Sequence, residues 1–254
     1  MVCGQMIEMK EGFALNKLKL LTMSDIPTEE VQWLWYPYLP RGKITIIQGD
    51  PGEGKTTFVL ALAALLTCGL PMPGDAESLP PMNIIYQTAE DGLADTVKPR
   101  LTALGADCSR VLVIDESERE LTLSDHRIAQ AIQETDAGLL VLDPIQAYLG
   151  EGVDMHRANE VRPVFKRLGQ LAEQTSCAIV LVGHMNKMQG VKSAYRGLGS
   201  IDFRAAARSV LLVGRSKDDS ETRVVVHDKS SLAPEGASIL FSLHSNTGFS
   251  WNGF

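Results

Sequence analysis

Cysteine is scarce in this 254-residue chain: Cys3, Cys68, Cys108 and Cys177 lie far apart and form no C-x-x-C pair. Such spacing argues against both a zinc site and a disulfide framework, and it fits a reducing compartment. Long apolar runs are missing as well. Phe58 to Leu70, the longest mostly apolar stretch, covers thirteen residues and is too short to cross a bilayer. Met1 to Leu20 mixes charges with apolar residues and lacks the continuous core of a signal peptide. A cytoplasmic protein with no membrane partner is therefore expected. Positive charge is in deficit, with a net charge of −7 at pH 7, so any contact with nucleic acid has to be local and salt-sensitive. Internal repeats and low-complexity tracts are also absent. With 44% hydrophobic and 22% charged residues, the composition is that of an ordinary globular protein.

Against that background the octapeptide GDPGEGKT stands out, running Gly49, Asp50, Pro51, Gly52, Glu53, Gly54, Lys55, Thr56. It fits G-x-x-x-x-G-K-[ST] at every required position. The flanks are right too: Lys43 to Ile47 reads as a short buried strand, and Thr57 to Leu66 as an apolar helix. A glycine-rich loop between strand and helix turns backbone N–H groups around a phosphate, and the helix N-terminus adds partial positive charge. Lys55 would then reach the β- and γ-phosphates, and the Thr56 hydroxyl would ligate Mg²⁺. The loop, from Gly49 to Thr57, is read as a site for ATP with Mg²⁺.

Downstream, strands and helices alternate. Strands are expected at Asn83–Gln87, Val111–Ile114, Gly138–Leu142 and Ala178–Val182. Helices are expected at Leu93–Leu104 (with Pro99 threatening its straightness), at Ser124–Glu134 capped by Ser124, and at His156–Gln174. Apolar runs without alternation, separated by helices, indicate parallel strands covered on both faces. Residues 184–200 read as a long loop, and Ser209–Val213, Thr222–Val226 and Ser238–Leu243 as a closing antiparallel set. The fold class is α/β, a mostly parallel sheet flanked by helices and ending in antiparallel strands. Residues 1–40 are expected to form an extension and 41–254 one domain. The aromatic cluster Trp33, Trp35, Tyr36 and Tyr38 is expected to close the sheet edge and is assigned no site.

Three further positions carry chemistry. Gly138-Leu-Leu-Val-Leu-Asp143 is an apolar strand ending in an acid, which at the C-terminal edge of a parallel sheet can hold a Mg²⁺-bound water. The segment TAEDG after the second parallel strand offers Glu90 or Asp91 to orient the attacking water. The longer arm of Glu90 favours it, while Asp91 also suits the first turn of the next helix. His184, in LVGHMNK, falls on the same edge, where it can detect a γ-phosphate. From His184 to Ser216 there are six basic residues against Asp202 alone, a local reversal of the chain's sign. Lys187, Lys192 and Arg196 form its loop half. They are read as contacts to single-stranded DNA, with a solvated basic loop as the alternative.

The set GDPGEGKT, TAEDG, LLVLDP, VGHMNK and RGLGSIDFRAAARSVLLV resembles RecA-fold P-loop ATPases of the hexameric replicative helicase group. It is most similar to the RepA-type branch with its phage and prophage relatives, and more distantly to the DnaB type. The resemblance covers about residues 25–245. It implies a RecA-like ATPase domain over 41–254 and a ring, usually of six copies, with ATP between neighbours and DNA in the centre. It also implies Glu90 as catalytic base, Asp143 as magnesium acid and His184 as γ-phosphate sensor. Arg208 becomes a finger acting on the neighbouring copy, and Lys229 a second basic residue directed across the interface. The acidic net charge departs from the helicases, so an ATP-dependent DNA-binding regulatory, recombination or repair ATPase without strand separation stands as the alternative.

Overall fold

The computed structural model describes residues 19–150, 152–154, 157–185, 201–244 and 248–253. The chain separates into residues up to Glu30 and a compact unit Val31–Phe254. In the first, the described residues hold one 3-10 turn, Met23–Asp25.

In the larger unit a short antiparallel pair, β1 (Trp33–Trp35) and β2 (Leu39–Pro40), leads into β3 (Ile44–Gly49) and α1 (Lys55–Cys68). Then come β4 (Ile84–Thr88), α2 (Lys98–Ala103), β5 (Val111–Leu112), α3 (His126–Thr135), β6 (Leu139–Asp143), α4 (Ala158–Thr175) and β7 (Ala178–His184). The chain finishes with α5 (Ile201–Ala206), β8 (Ser209–Arg215), β9 (Thr222–Ser230), β10 (Ile239–His244) and β11 (Gly248–Gly253). Nine of these strands form one sheet in the order β11-β10-β9-β8-β3-β7-β6-β4-β5. β3 lies between β7 and β8 and runs parallel to both, while β9, β10 and β11 follow antiparallel. The expected α/β class is what the chain adopts.

The parallel strands read as unbroken apolar runs because both their faces are covered. On one face α1 buries Phe58, Val59, Leu60 and Leu62 among the strands, with Trp35, Tyr38 and Phe241. On the other, α3 and α4 bury Ile128, Ile132, Val161, Phe165 and Leu168. Trp35 is fully buried, donates from Nε1 to the Pro73 carbonyl at 2.9 Å, and lies 4.5 Å from the Tyr38 ring. Part of the aromatic cluster is thus core.

Local details differ from expectation for identifiable reasons. Asp125, not Ser124, caps α3, accepting from the Arg127 N–H at 2.9 Å. Its carboxylate also takes Arg119 and Arg127 guanidinium groups, Arg127 foremost, which hold it well below the usual carboxylate range. The helix expected over Leu93–Leu104 opens as a π-turn, Leu93–Val97, in which the Val97 N–H reaches back five residues to the Gly92 carbonyl. Pro99, with no N–H to offer, sits in the first turn of α2, where none is required.

Candidate nucleotide-binding site

The loop between β3 and α1 is shaped by its glycines. Gly52 and Gly54 have φ of 80° and 90°, the left-handed region open to glycine. Gly49 is required for a different reason: a Cβ there would lie 2.2 Å from the Val213 carbonyl oxygen of β8. At its end the loop delivers Lys55 and Thr56 to the first turn of α1.

Lys55 is buried, at 5% exposure. Its Nζ donates to the Gly49 carbonyl at 3.0 Å and the Asp50 carbonyl at 2.8 Å, and lies 3.3 Å from His184 Nδ1. Burial lowers its pKa, opposed chiefly by the Asp143 charge. With the ammonium donating to Nδ1, the remaining imidazole proton falls on Nε2, which faces the Glu90 carboxylate at 3.7 Å. Lys55, His184 and Glu90 therefore form one line across the ends of β3, β7 and β4.

Thr56 Oγ1 donates to Asp143 Oδ2 at 2.7 Å, and the Tyr86 hydroxyl donates to the same oxygen at 3.1 Å. Asp143 is 6% exposed. Burial raises its pKa, while the bonds from Thr56 and Tyr86 and the charge of Lys55 pull it back. The hydroxyl of Thr56 and the carboxylate of Asp143 are hard oxygen donors side by side, the set that suits Mg²⁺ with its retained waters. Tyr86, in the middle of β4, was not expected here; its one signal was a phenol directly after the apolar pair Ile84 and Ile85.

Glu90 and Asp91 are told apart by their partners. Asp91 takes the Arg100 guanidinium at 3.0 Å, and its N–H bonds the Thr88 hydroxyl at 3.2 Å. Glu90 is exposed beside His184. In the phosphate loop, Glu53 Oε2 is buried without a hydrogen-bond partner, with Arg215 Nε at 3.9 Å. Arg215 pairs in register with Arg223 of β9. These two arginines were not expected at the loop.

Arg208 and Lys229 lie elsewhere. The Arg208 N–H bonds the Ile44 carbonyl, at the start of β3. Lys229 is in register with Val210, and its Nζ donates to the Arg204 and Ala207 carbonyls at 2.7 and 2.8 Å, capping the end of α5. Both sit at the N-terminal edge of the parallel strands, while the phosphate loop occupies the C-terminal edge, a strand length of roughly 17 Å away. Lys187, Lys192 and Arg196 fall outside the described residues.

Residues 15–190 match the AAA domain family. The chain belongs to that family. β8 to β11 lie beyond the matched stretch, although Val213 of β8 packs on its phosphate loop. This AAA domain protein is 28% identical over 152 residues to the DNA repair protein RadA of Halalkalibacterium halodurans. To the protein of the same name in Bacillus subtilis it is 28% identical over 149 residues, and to that of Brucella abortus 30% over 154. These alignments cover 58–59% of this chain but 29% of each relative, so the chain spans under a third of their length. Among solved structures, a KaiC-like protein of Pyrococcus horikoshii superposes with a TM-score of 0.59 at 16% identity, covering 89% of this chain and 99% of that one. That likeness is one of fold: the AAA domain here has the RecA-like α/β arrangement of a P-loop ATPase. Among the described residues, no helix is long and apolar enough to cross a membrane.

Proposed function

We propose that this protein hydrolyses ATP with Mg²⁺, assembles head to tail into a ring of six copies, and works on single-stranded DNA. The observation that carries the reading is the junction of Thr56 with Asp143 at 2.7 Å, with Lys55 buried beside it and Glu90 facing it through His184. In this arrangement Lys55 exchanges its bonds to the Gly49 and Asp50 carbonyls for phosphate oxygens. Thr56 and Asp143 hold the metal, which neutralises charge on the β- and γ-phosphates when it is bound. Glu90, exposed and free of the ion pair that occupies Asp91, orients the attacking water and accepts its proton. His184 touches both Lys55 and Glu90, so it is placed to relay the γ-phosphate's presence into the chain after β7.

Arg208 lies across the sheet from its own phosphate loop, and its target is a neighbouring copy's site; Lys229, with its Nζ on the Arg204 and Ala207 carbonyls, supports α5 beside it. DNA contact is assigned to Lys187, Lys192 and Arg196 on charge alone.

Strand separation of the replicative-helicase kind is one reading of the work done. A second is ATP-driven DNA repair or recombination without unwinding, favoured by the relatives named DNA repair protein RadA. Turnover is tested with Lys55→Ala. Removing the ammonium should abolish Mg²⁺-dependent phosphate release in a protein whose retained fold is checked by circular dichroism. Unchanged turnover in Lys55→Ala would remove the nucleotide-site assignment. A strand-displacement assay on forked DNA then separates the two readings.

A further inference from the structure

A second surface lies on the edge of the sheet opposite the phosphate loop. Between α4, α5 and the start of β3 is a cavity of about 410 Å³. Its floor is apolar, with Ile44 and Phe165 buried and Ala205 and Ala206 along one side. The wall is fixed by the Phe165 and Phe203 rings, 4.7 Å apart edge to face. Around the rim stand the exposed Arg162, Lys166 and Arg208, together with the Lys43–Glu173 pair at 2.8 Å. In a chain of net charge −7 this is a basic mouth over an apolar floor.

The phosphate-loop edge offers the complementary shape. Just after Glu90, Leu93 is 45% exposed, a large apolar side chain on the first residue of the π-turn. Glu90, Asp91 and Asp95 flank it in sequence, and Asp91 pairs with Arg100 of its own chain. An apolar knob ringed by acids matches an apolar floor ringed by bases. One copy cannot join its own two surfaces, because they lie at opposite ends of the parallel strands.

We propose that this groove receives the Glu90–Val97 segment of a second copy of the chain, with Leu93 on the floor and Asp95 against Lys166. The contact is heterologous, one surface of each copy meeting the other surface of the next, so it propagates as a ring or filament. It rests on the head-to-tail reading above and adds a consequence: the segment that carries Glu90 is held in place by the neighbour, on the same side as that neighbour's Arg208. A DNA backbone would suit the basic rim but would leave the apolar floor unused.

The test uses the full chain and a non-hydrolysable ATP analogue with Mg²⁺, measuring mass by sedimentation. Wild type should assemble into a multiple of the 27.7 kDa chain. Lys166→Glu, an exposed change whose fold is checked by circular dichroism, should remain monomeric, and the double variant Lys166→Glu with Asp95→Lys should assemble again. If wild type and Lys166→Glu assemble alike, the groove proposal is wrong and the head-to-tail reading stands. If wild type stays monomeric throughout, both are wrong. If Lys166→Glu assembles normally but binds single-stranded DNA less well, the groove is a nucleic-acid surface and the proposal is overturned.

Discussion

At the scale of single residues, Asp143 shows how the site is assembled from weak requirements. A carboxylate nearly excluded from water resists ionisation, and two donors, Thr56 and Tyr86, converge on one of its oxygens to offset that burial. On the proposed function the Thr56 hydroxyl would turn to the metal, and Tyr86 would be the group that keeps the carboxylate oriented. Tyr86→Phe removes this support without touching ligand. It should raise the Mg²⁺ concentration for half-maximal turnover about 10-fold, the lower end for lost outer-shell partners, with maximal rate much less affected. A magnesium titration of ATP hydrolysis reads this, and an unchanged midpoint would mean that Thr56 alone orients Asp143. The motif residues were legible because phosphate chemistry fixes their spacing; Tyr86, Arg100 and Arg215 were not, because each acts through a fold contact that no local pattern encodes. The preference for Glu90 over Asp91 rested on arm length, whereas the structure supplies a separate distinction, the Arg100 pair on Asp91.

At the scale of elements, periodicity located the strands covered on both faces, but it put Ser209–Val213 in the closing antiparallel set, whereas β8 runs parallel to β3 and only β9 to β11 follow antiparallel. What it did not show were elements held by distant partners. β11 is a stretch of glycine, serine and aromatics that becomes a strand by pairing with β10. α5 is a six-residue helix whose end is capped by Lys229 from β9. The expected third strand shrinks to Val111–Leu112, because Ile114 turns aside to bond the Gln87 side chain at 2.6 Å. The phosphate loop likewise depends on a strand outside the motif. Gly49→Ala would drive a methyl into the Val213 carbonyl and should lower stability by about 1–3 kcal/mol, as overpacking does. Gly52→Ala meets no atom within 4 Å and should cost only about 1–2 kcal/mol for its left-handed backbone. Beyond stability, Gly49→Ala should also weaken nucleotide binding, because the β3–β8 pair must part to admit the methyl. Chemical denaturation with a fluorescent nucleotide titration compares the two; equal binding by both variants would show that β8 does not shape the loop.

At the scale of the whole molecule, the chain presents two unlike edges. One gathers Lys55, Thr56, Glu90, Asp143 and His184; the other carries Arg208 and Lys229 with no phosphate loop beside them. On the proposed head-to-tail reading, a complete site takes two copies. Mixing Arg208→Ala with Lys55→Ala proteins, each inactive alone, should restore part of the ATP turnover once subunit exchange is shown by an independent label. Some interfaces in mixed rings then join an intact Lys55 to an intact Arg208, and an arginine supplied in trans is worth on the order of 10³-fold in rate. No recovery would return Arg208 to a local role in its own chain. The proposed function rests on ATP hydrolysis by the Gly49–Thr56 loop and Glu90 together. It is tested most directly by measuring nucleotide affinity and Mg²⁺-dependent phosphate release side by side for wild type and Glu90→Gln. The two affinities should match, with turnover in the variant lower by about 10²-fold or more. Turnover in Glu90→Gln equal to wild type would contradict it.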